Sequence, residues 1–172
     1  MEPIISLLKA ARTLTRAEFV TEHRGQYLLK RPRRGARPLE ESSFGFQTVV
    51  AKLDVDPYSN EWRIVAVTKR PGNPFPERMT IGRTTNCDIV LRYPFISKVH
   101  AHILREPGGG FSIHDNRPQN FSFHQGRMLP PGSTQKLAIG DSIGFGSLEF
   151  EFVDAARLHE ILRAEATELN ST

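Results

Sequence analysis

The stretch Leu148-Glu149-Phe150-Glu151-Phe152 alternates apolar and acidic side chains without a break. A period of two puts the three apolar side chains on one face of an extended chain and the glutamates on the other, a pattern that suits a half-buried strand and not a helix. The same texture reaches back to Phe44 as short apolar runs divided by turn signals. Phe46–Leu53 and Trp62–Lys69 read as strands joined through Asp56–Asn60, and Pro71–Pro74 turns the chain into a strand at Arg78–Gly82. Val99, Ala101 and Ile103 alternate with His100, His102 and Leu104, and Pro107–Gly110 leads into Phe111–His114. Ser142–Phe145 lies between Gly140-Asp141 and Gly146-Ser147. Such spacing predicts a mainly β fold, a β-sandwich of two packed, mostly antiparallel sheets.

Helical patterns flank this region. Ile4, Leu7, Leu8, Ala11 and Leu14 share a face at helical spacing, and Thr15 followed by Glu18 forms a capping box that starts a second helix from Arg16 to Arg24, ended by Gly25. Gln26–Lys30 fits a short strand. Asp154 suits the N-cap of a closing helix in which Leu158, Ile161 and Leu162 share a face, with a frayed tail from Glu168. The expected organisation is a helical extension and basic linker over residues 1–43, a sandwich over 44–153, and a helix with tail over 154–172. Segments this short are unstable alone, so the helices should pack on the sandwich or on a partner. The pattern leaves the oligomeric state open.

Charge is unevenly placed. Of the net +4, residues 1–37 carry nine Lys/Arg against Glu2, Glu18 and Glu22, whereas the rest carries 14 basic against 16 acidic residues. The pI near 9.5 therefore belongs to the arm, above all to Lys30–Pro38. Phosphate, nucleic acid or an anionic surface could meet that arm, but no aromatic residue is interleaved for base stacking, so nucleic acid is not the expected partner. No stretch approaches the length of a transmembrane span. A single cysteine, Cys87, suits a reducing compartment, and a cytoplasmic location is the expectation. Neither a nucleophile elbow nor a P-loop appears, so no catalysis and no cofactor are expected. His100 and His102 fall on one strand face in this reading, but two ligands without a third predict no metal site.

The remaining signal is a constellation. Gly82-Arg83, Asp88-Ile89-Val90-Leu91, Ser97-Lys98-Val99-His100, Asp115 and Asn120 follow one another at a spacing that resembles the forkhead-associated (FHA) domain. The resemblance spans about Trp62 to Val153 and implies an FHA-like β-sandwich that reads phosphothreonine. A phosphothreonine brings close to two negative charges and three strong acceptors, which an Arg fork and convergent hydroxyl and amide donors can meet. On that resemblance Arg83 binds the phosphate, with Gly82 turning the backbone to present it. Ser97 donates a hydroxyl, Lys98 lies against the ligand, and Asn120 bonds the peptide backbone. His100 and Asp115 support the loops.

One loop departs from the family. Where a Ser-Thr-Asn-Gly run is usual, this chain reads Pro118-Gln119-Asn120-Phe121. Gln119 keeps an amide donor in place of the threonine hydroxyl, Pro118 removes a backbone donor, and Arg117 offers a substitute cation. Phe121 in place of glycine predicts a different loop path, since positive φ is costly for a side chain. The implied function is non-catalytic phosphothreonine-dependent binding in signal transduction, with a Ser/Thr kinase or its substrate as partner. The alternative is a phosphate-independent assembly or scaffold protein on the same sandwich, with nucleic-acid or anionic-surface contact through the basic arm.

Overall fold

The computed structural model describes residues 4–31 and 62–169; the expected strand at Phe46–Leu53, its connection through Asp56–Asn60 and most of the basic linker lie outside them. The N-terminal arm contains α1 (Ile4–Thr13), α2 (Arg16–Glu22) and β1 (Gln26–Lys30). There follow β2 (Arg63–Ala66), β3 (Arg78–Gly82), β4 (Ile89–Val90), β5 (Ala101–Arg105) and β6 (Phe111–Asp115). The chain then forms β7 (Ser122–His124), β8 (Arg127–Met128), β9 (Thr134–Leu137), β10 (Ser142–Phe145) and β11 (Leu148–Asp154), and ends in α3 (Ala155–Leu169).

Two sheets face each other. One runs β2-β1-β11-β10-β7-β8 and the other β4-β3-β5-β6-β9. The β3–β4 pair is parallel and the other described pairs are antiparallel. Between the sheets Leu148, Phe150 and Phe152 of β11 meet Met79 and Ile81 of β3, Ala101 and Ile103 of β5, and Ile113 of β6. The strict alternation of β11 thus does what its period dictates. Its outer face carries Glu151, which pairs with Arg31 and, at 3.0 Å, with Arg157 of α3.

A third layer covers the outer face of the six-stranded sheet at its β1–β2–β11 end. Leu7 and Ala11 of α1, Phe19 of α2 and Leu158, Ile161 and Leu162 of α3 pack there on Leu29, Ile64 and Val153. β1 serves both layers, since Leu28 points into the inter-sheet core and its neighbour Leu29 into the helical one. Gln26–Lys30, which the sequence reading places in the extension, is hydrogen-bonded between β2 and β11. The capping box closes as expected, with the Thr15 backbone N–H donating to Glu18 at 2.7 Å and the Glu18 N–H donating back to Thr15 Oγ1 at 3.3 Å. Asp154 caps α3 by accepting from the Arg157 N–H at 2.8 Å.

Three differences from the sequence reading have physical reasons. The Trp62–Lys69 run is a strand only to Ala66, because Lys69 and Arg70 leave the sheet to bind Asp88. The alternation expected from Val99 begins only at Ala101, and Val99 itself is 42% exposed, because His100 hydrogen-bonds to other loops before the strand starts. The short β7, β8 and β9 have no counterpart in the sequence pattern: Arg127 and Met128 are both exposed, and Thr134-Gln-Lys-Leu137 buries only Leu137. Among the described residues no helix is long and apolar enough to cross a membrane.

Candidate functional site

The β3–β4 connection sets the site. Two strands in parallel register, Ile81 opposite Ile89, are joined by residues 83–88, and the β3–β4 ladder stops short of Thr80. Asp88 fills that gap with its side chain. Its carboxylate accepts from the Thr80 N–H at 2.8 Å, the Arg70 N–H at 2.8 Å, Thr80 Oγ1 at 2.9 Å, Asn73 Nδ2 at 2.9 Å and Lys69 Nζ at 3.0 Å. Burial works to raise the Asp88 pKa, but the hydrogen bonds led by the Arg70 and Thr80 amides outweigh it and hold the group well below the usual carboxylate range. Sequence reasoning quoted Asp88 as part of the motif and gave it no role.

Gly82 ends β3 for a reason other than the sharp turn expected of it. A Cβ there would lie 2.2 Å from the Lys98 carbonyl oxygen and 2.9 Å from Cys87 Sγ, so the glycine permits two backbones to touch. The Lys98 carbonyl in turn accepts from Thr84 Oγ1 at 2.8 Å and Cys87 Sγ at 3.3 Å. One residue on, the Arg83 N–H donates to the Ser97 carbonyl at 3.1 Å. The β3–β4 and β4–β5 loops are thereby locked side by side, with Arg83 and Lys98 exposed and Ser97 half-buried.

His100 joins the third loop to these two. The Ser97 N–H donates to Nδ1 at 3.2 Å, and Nε2 lies 3.0 Å from the Phe121 carbonyl oxygen. An amide can only donate, so Nδ1 is unprotonated and Nε2 carries the proton that Phe121 accepts. The ring sits edge-on to Phe145 at 5.6 Å, and burial keeps its pKa below the ordinary imidazole value, against the opposing pull of the Phe121 bond and the Asp115 charge. His102 points elsewhere. It bonds Asn116 Oδ1 at 3.0 Å and stacks on His114 at 4.6 Å, so the two histidines expected on one strand face have no partner in common.

In the β6–β7 loop the Gln119 N–H donates to Ser97 Oγ at 3.1 Å, and Asn120 Nδ2 donates to the Phe95 carbonyl at 2.9 Å. Asp115 Oδ1 accepts from the Arg117 N–H at 2.8 Å and the Gly132 N–H at 3.1 Å, fixing the start of the loop. Arg117 lays its guanidinium against Gly132. The departure at Phe121 does not redirect the chain by avoiding positive φ: Phe121 adopts φ +45° and Arg117 φ +55°, so two non-glycine residues hold left-handed backbone on either side of Pro118–Asn120. The Phe121 carbonyl so placed accepts from both His100 and the Gly146 N–H, the latter at 3.1 Å.

Arg83, Ser97, Lys98, Gln119 and Asn120 thus occupy loops that are bonded directly to one another. Ser97 Oγ already accepts a hydrogen bond, which leaves its own proton to donate outward. Among the described residues the Arg83 guanidinium has no hydrogen bond or ion pair, and it is exposed beside Ser97. The arrangement presents a cationic fork, a fixed hydroxyl and amide donors, a set suited to a tetrahedral oxyanion. Thr84, Cys87, Phe95 and Gly146 brace it. No sequence signal separates these four from ordinary loop and core residues.

Residues 79–146, about two-fifths of the chain, match the family model of the FHA domain. No curated protein matches the chain. Among solved structures, the chain is similar to Mycobacterium tuberculosis EmbR in complex with a low-affinity phosphopeptide, at 27% identity over 56% of this chain and 22% of that one, with a TM-score of 0.44. It therefore spans about a fifth of EmbR. The N-terminal FHA domain of S. cerevisiae Rad53p in complex with a phosphothreonine peptide matches at 21% identity, covering 58% of this chain and 90% of that one, TM-score 0.46. The FHA domain of the CT664 protein from Chlamydia trachomatis matches at 20%, covering 76% and 98%, TM-score 0.45.

Proposed function

We propose that this chain is a non-catalytic, phosphothreonine-dependent peptide-binding module of signal transduction. The observation that carries the reading is the Ser97 hydroxyl. The Gln119 N–H fixes it as an acceptor, its proton is left to donate, and it stands beside Arg83, unpaired among the described residues, in a segment that matches the FHA family model. In the proposed complex Arg83 forks onto two phosphate oxygens, Ser97 donates to the third, and Lys98 adds charge. Gln119 and Asn120 bond the ligand's backbone and phosphate edge, Asn120 through the groups left over from its bond to Phe95. Arg117 supplies positive field from the side of the loop. Gly82, His100 and Asp115 hold the three loops in place. The partner is a phosphothreonine-containing protein, a Ser/Thr kinase or its substrate. A cytoplasmic setting fits the single cysteine, buried and reduced.

The test is capture of a degenerate phosphothreonine peptide library beside its unphosphorylated twin, by wild type and Arg83→Ala. Wild type should select the phosphorylated pool. The variant should lose about 2–3 kcal/mol, roughly 30- to 150-fold in Kd, with an unchanged unfolding curve. Phosphate selection that survives in Arg83→Ala would overturn the reading.

A further inference from the structure

Non-glycine residues keep left-handed backbone only where their surroundings impose it. The β6–β7 loop holds two, Arg117 at φ +55° and Phe121 at φ +45°, and from Asn116 to Phe121 it contains no glycine. At the far end the Phe121 carbonyl is held by His100 and by the Gly146 N–H. The near end is held from the outer face of the five-stranded sheet, by residues outside the phosphate-binding constellation.

Asn116 precedes Arg117 and is fixed twice. Its N–H donates to the His100 carbonyl at 3.1 Å, and its Oδ1 lies 3.0 Å from Nδ1 of His102. An amide oxygen can only accept, so His102 carries a proton on Nδ1 and donates it. The His102 ring is itself held. It is 8% exposed and stacks on His114, its direct partner across the β5–β6 pair, with ring centroids 4.6 Å apart. His114 Nδ1 in turn lies 2.7 Å from Thr134 Oγ1 on β9. A polar row from Asn116 through His102 and His114 to Thr134 thus ties the start of the loop to β5, β6 and β9.

We propose that His102 is a positioning residue for phosphopeptide recognition: through Asn116 it holds Arg117 in left-handed backbone and so sets where Gln119 and Asn120 meet the ligand. It touches no part of the proposed ligand. Two histidines of one chain segment divide the task, His100 at the end of the loop and His102 at its start. The link to binding runs through Gln119, whose N–H fixes the Ser97 hydroxyl at 3.1 Å. Freed at Asn116, the loop loses the restraint on Arg117, and with it the Gln119–Ser97 bond. Arg117→Gly would make the brace superfluous, because glycine takes positive φ unaided. The inference rests on the phosphothreonine reading above and adds to it a residue that never contacts phosphate.

The experiment uses the full chain, the tightest library-selected phosphothreonine peptide and its unphosphorylated twin. Affinity and unfolding are measured for wild type, His102→Leu, His102→Gln, Asn116→Ala, Arg83→Ala, Arg117→Gly and the His102→Leu/Arg117→Gly pair. His102→Leu and Asn116→Ala should each weaken phosphopeptide binding about fivefold, as for the loss of one neutral hydrogen bond. His102→Gln keeps an N–H donor and should restore most of the affinity. In the Arg117→Gly background His102→Leu should cost less than about twofold. On the free chain, amide exchange at Gln119 should quicken in His102→Leu and Asn116→Ala but not in His102→Gln. Unchanged affinity and exchange in Asn116→Ala, which leaves the buried ring in place, overturn the proposal. So does an equal loss with and without Arg117→Gly, which marks a general effect on stability. Phosphate discrimination that persists in Arg83→Ala sinks the primary reading instead, and the exchange data on the free chain tell the two failures apart.

Discussion

At Phe121 a bulky residue occupies the left-handed backbone that glycine takes without penalty, and the loop keeps its bonds to His100 and Gly146 all the same. The strain, about 1–2 kcal/mol, is held by those two hydrogen bonds and by the packed His100 ring. Phe121→Gly should therefore change stability by less than about 1 kcal/mol, since relief of strain is offset by the freer unfolded chain. Phe121→Val, whose β-branch suits positive φ worse, should cost about 1–2 kcal/mol more than the glycine variant. Urea unfolding of the pair measures this, and equal stabilities would contradict it. Single residues were unevenly legible in the sequence. Gly82 announces that only glycine fits, but not that the reason is the Lys98 carbonyl 2.2 Å from a would-be Cβ, because that neighbour lies sixteen residues on. The tautomer of His100 was out of reach because the carbonyl that takes its Nε2 proton, that of Phe121, lies 21 residues on.

Elements with a strong period were read nearly residue for residue. β10, β11, β3 and the capped α2 match their patterns because each buries a full face or carries its own start signal. The crossover around Asp88 owes its form to a side chain that takes the place of ladder bonds, and β4 and β8 are two residues long, so no period records them. The β5–β6 pair adds a chemical consequence. His102 of β5 is buried against His114 of β6 and has a pKa pushed down to about 4, chiefly by burial and then by its neighbour's charge. His100 is shifted the same way. A depressed imidazole pKa means the unfolded chain takes up protons that the folded chain refuses. Stability is then complete above about pH 6.5 and falls as pH drops from there towards 4, by on the order of 3 kcal/mol for His102. Denaturant midpoints at pH 8, 6 and 5 should fall in that order, and His102→Asn should flatten the slope. A stability independent of pH over this range would contradict the assignment of both rings as buried and neutral.

Across the whole molecule the helical layer and the binding loops draw on separate cores. α1, α2 and α3 cover the outer face of the six-stranded sheet, and the loops bear on the inter-sheet core through Ile81, Ile96 and Phe145. Leu158→Ala removes a fully buried side chain from the helical core and should cost about 2–4 kcal/mol, with phosphopeptide affinity changed less than twofold under conditions where the variant is folded. A larger loss of affinity would mean that the helices position the site. The fold class was legible because period and turn signals act locally, and the candidate site because its residues keep family spacing. The central claim is that the three loops joined at Ser97 read phosphate, and NMR titration of the full chain with the tightest library-selected phosphothreonine peptide tests it most directly. The account predicts backbone shifts at Arg83, Ser97, Lys98, Gln119 and Asn120 that vanish when the same peptide is dephosphorylated. Shifts confined to the helical face, or equal for both peptides, would contradict it.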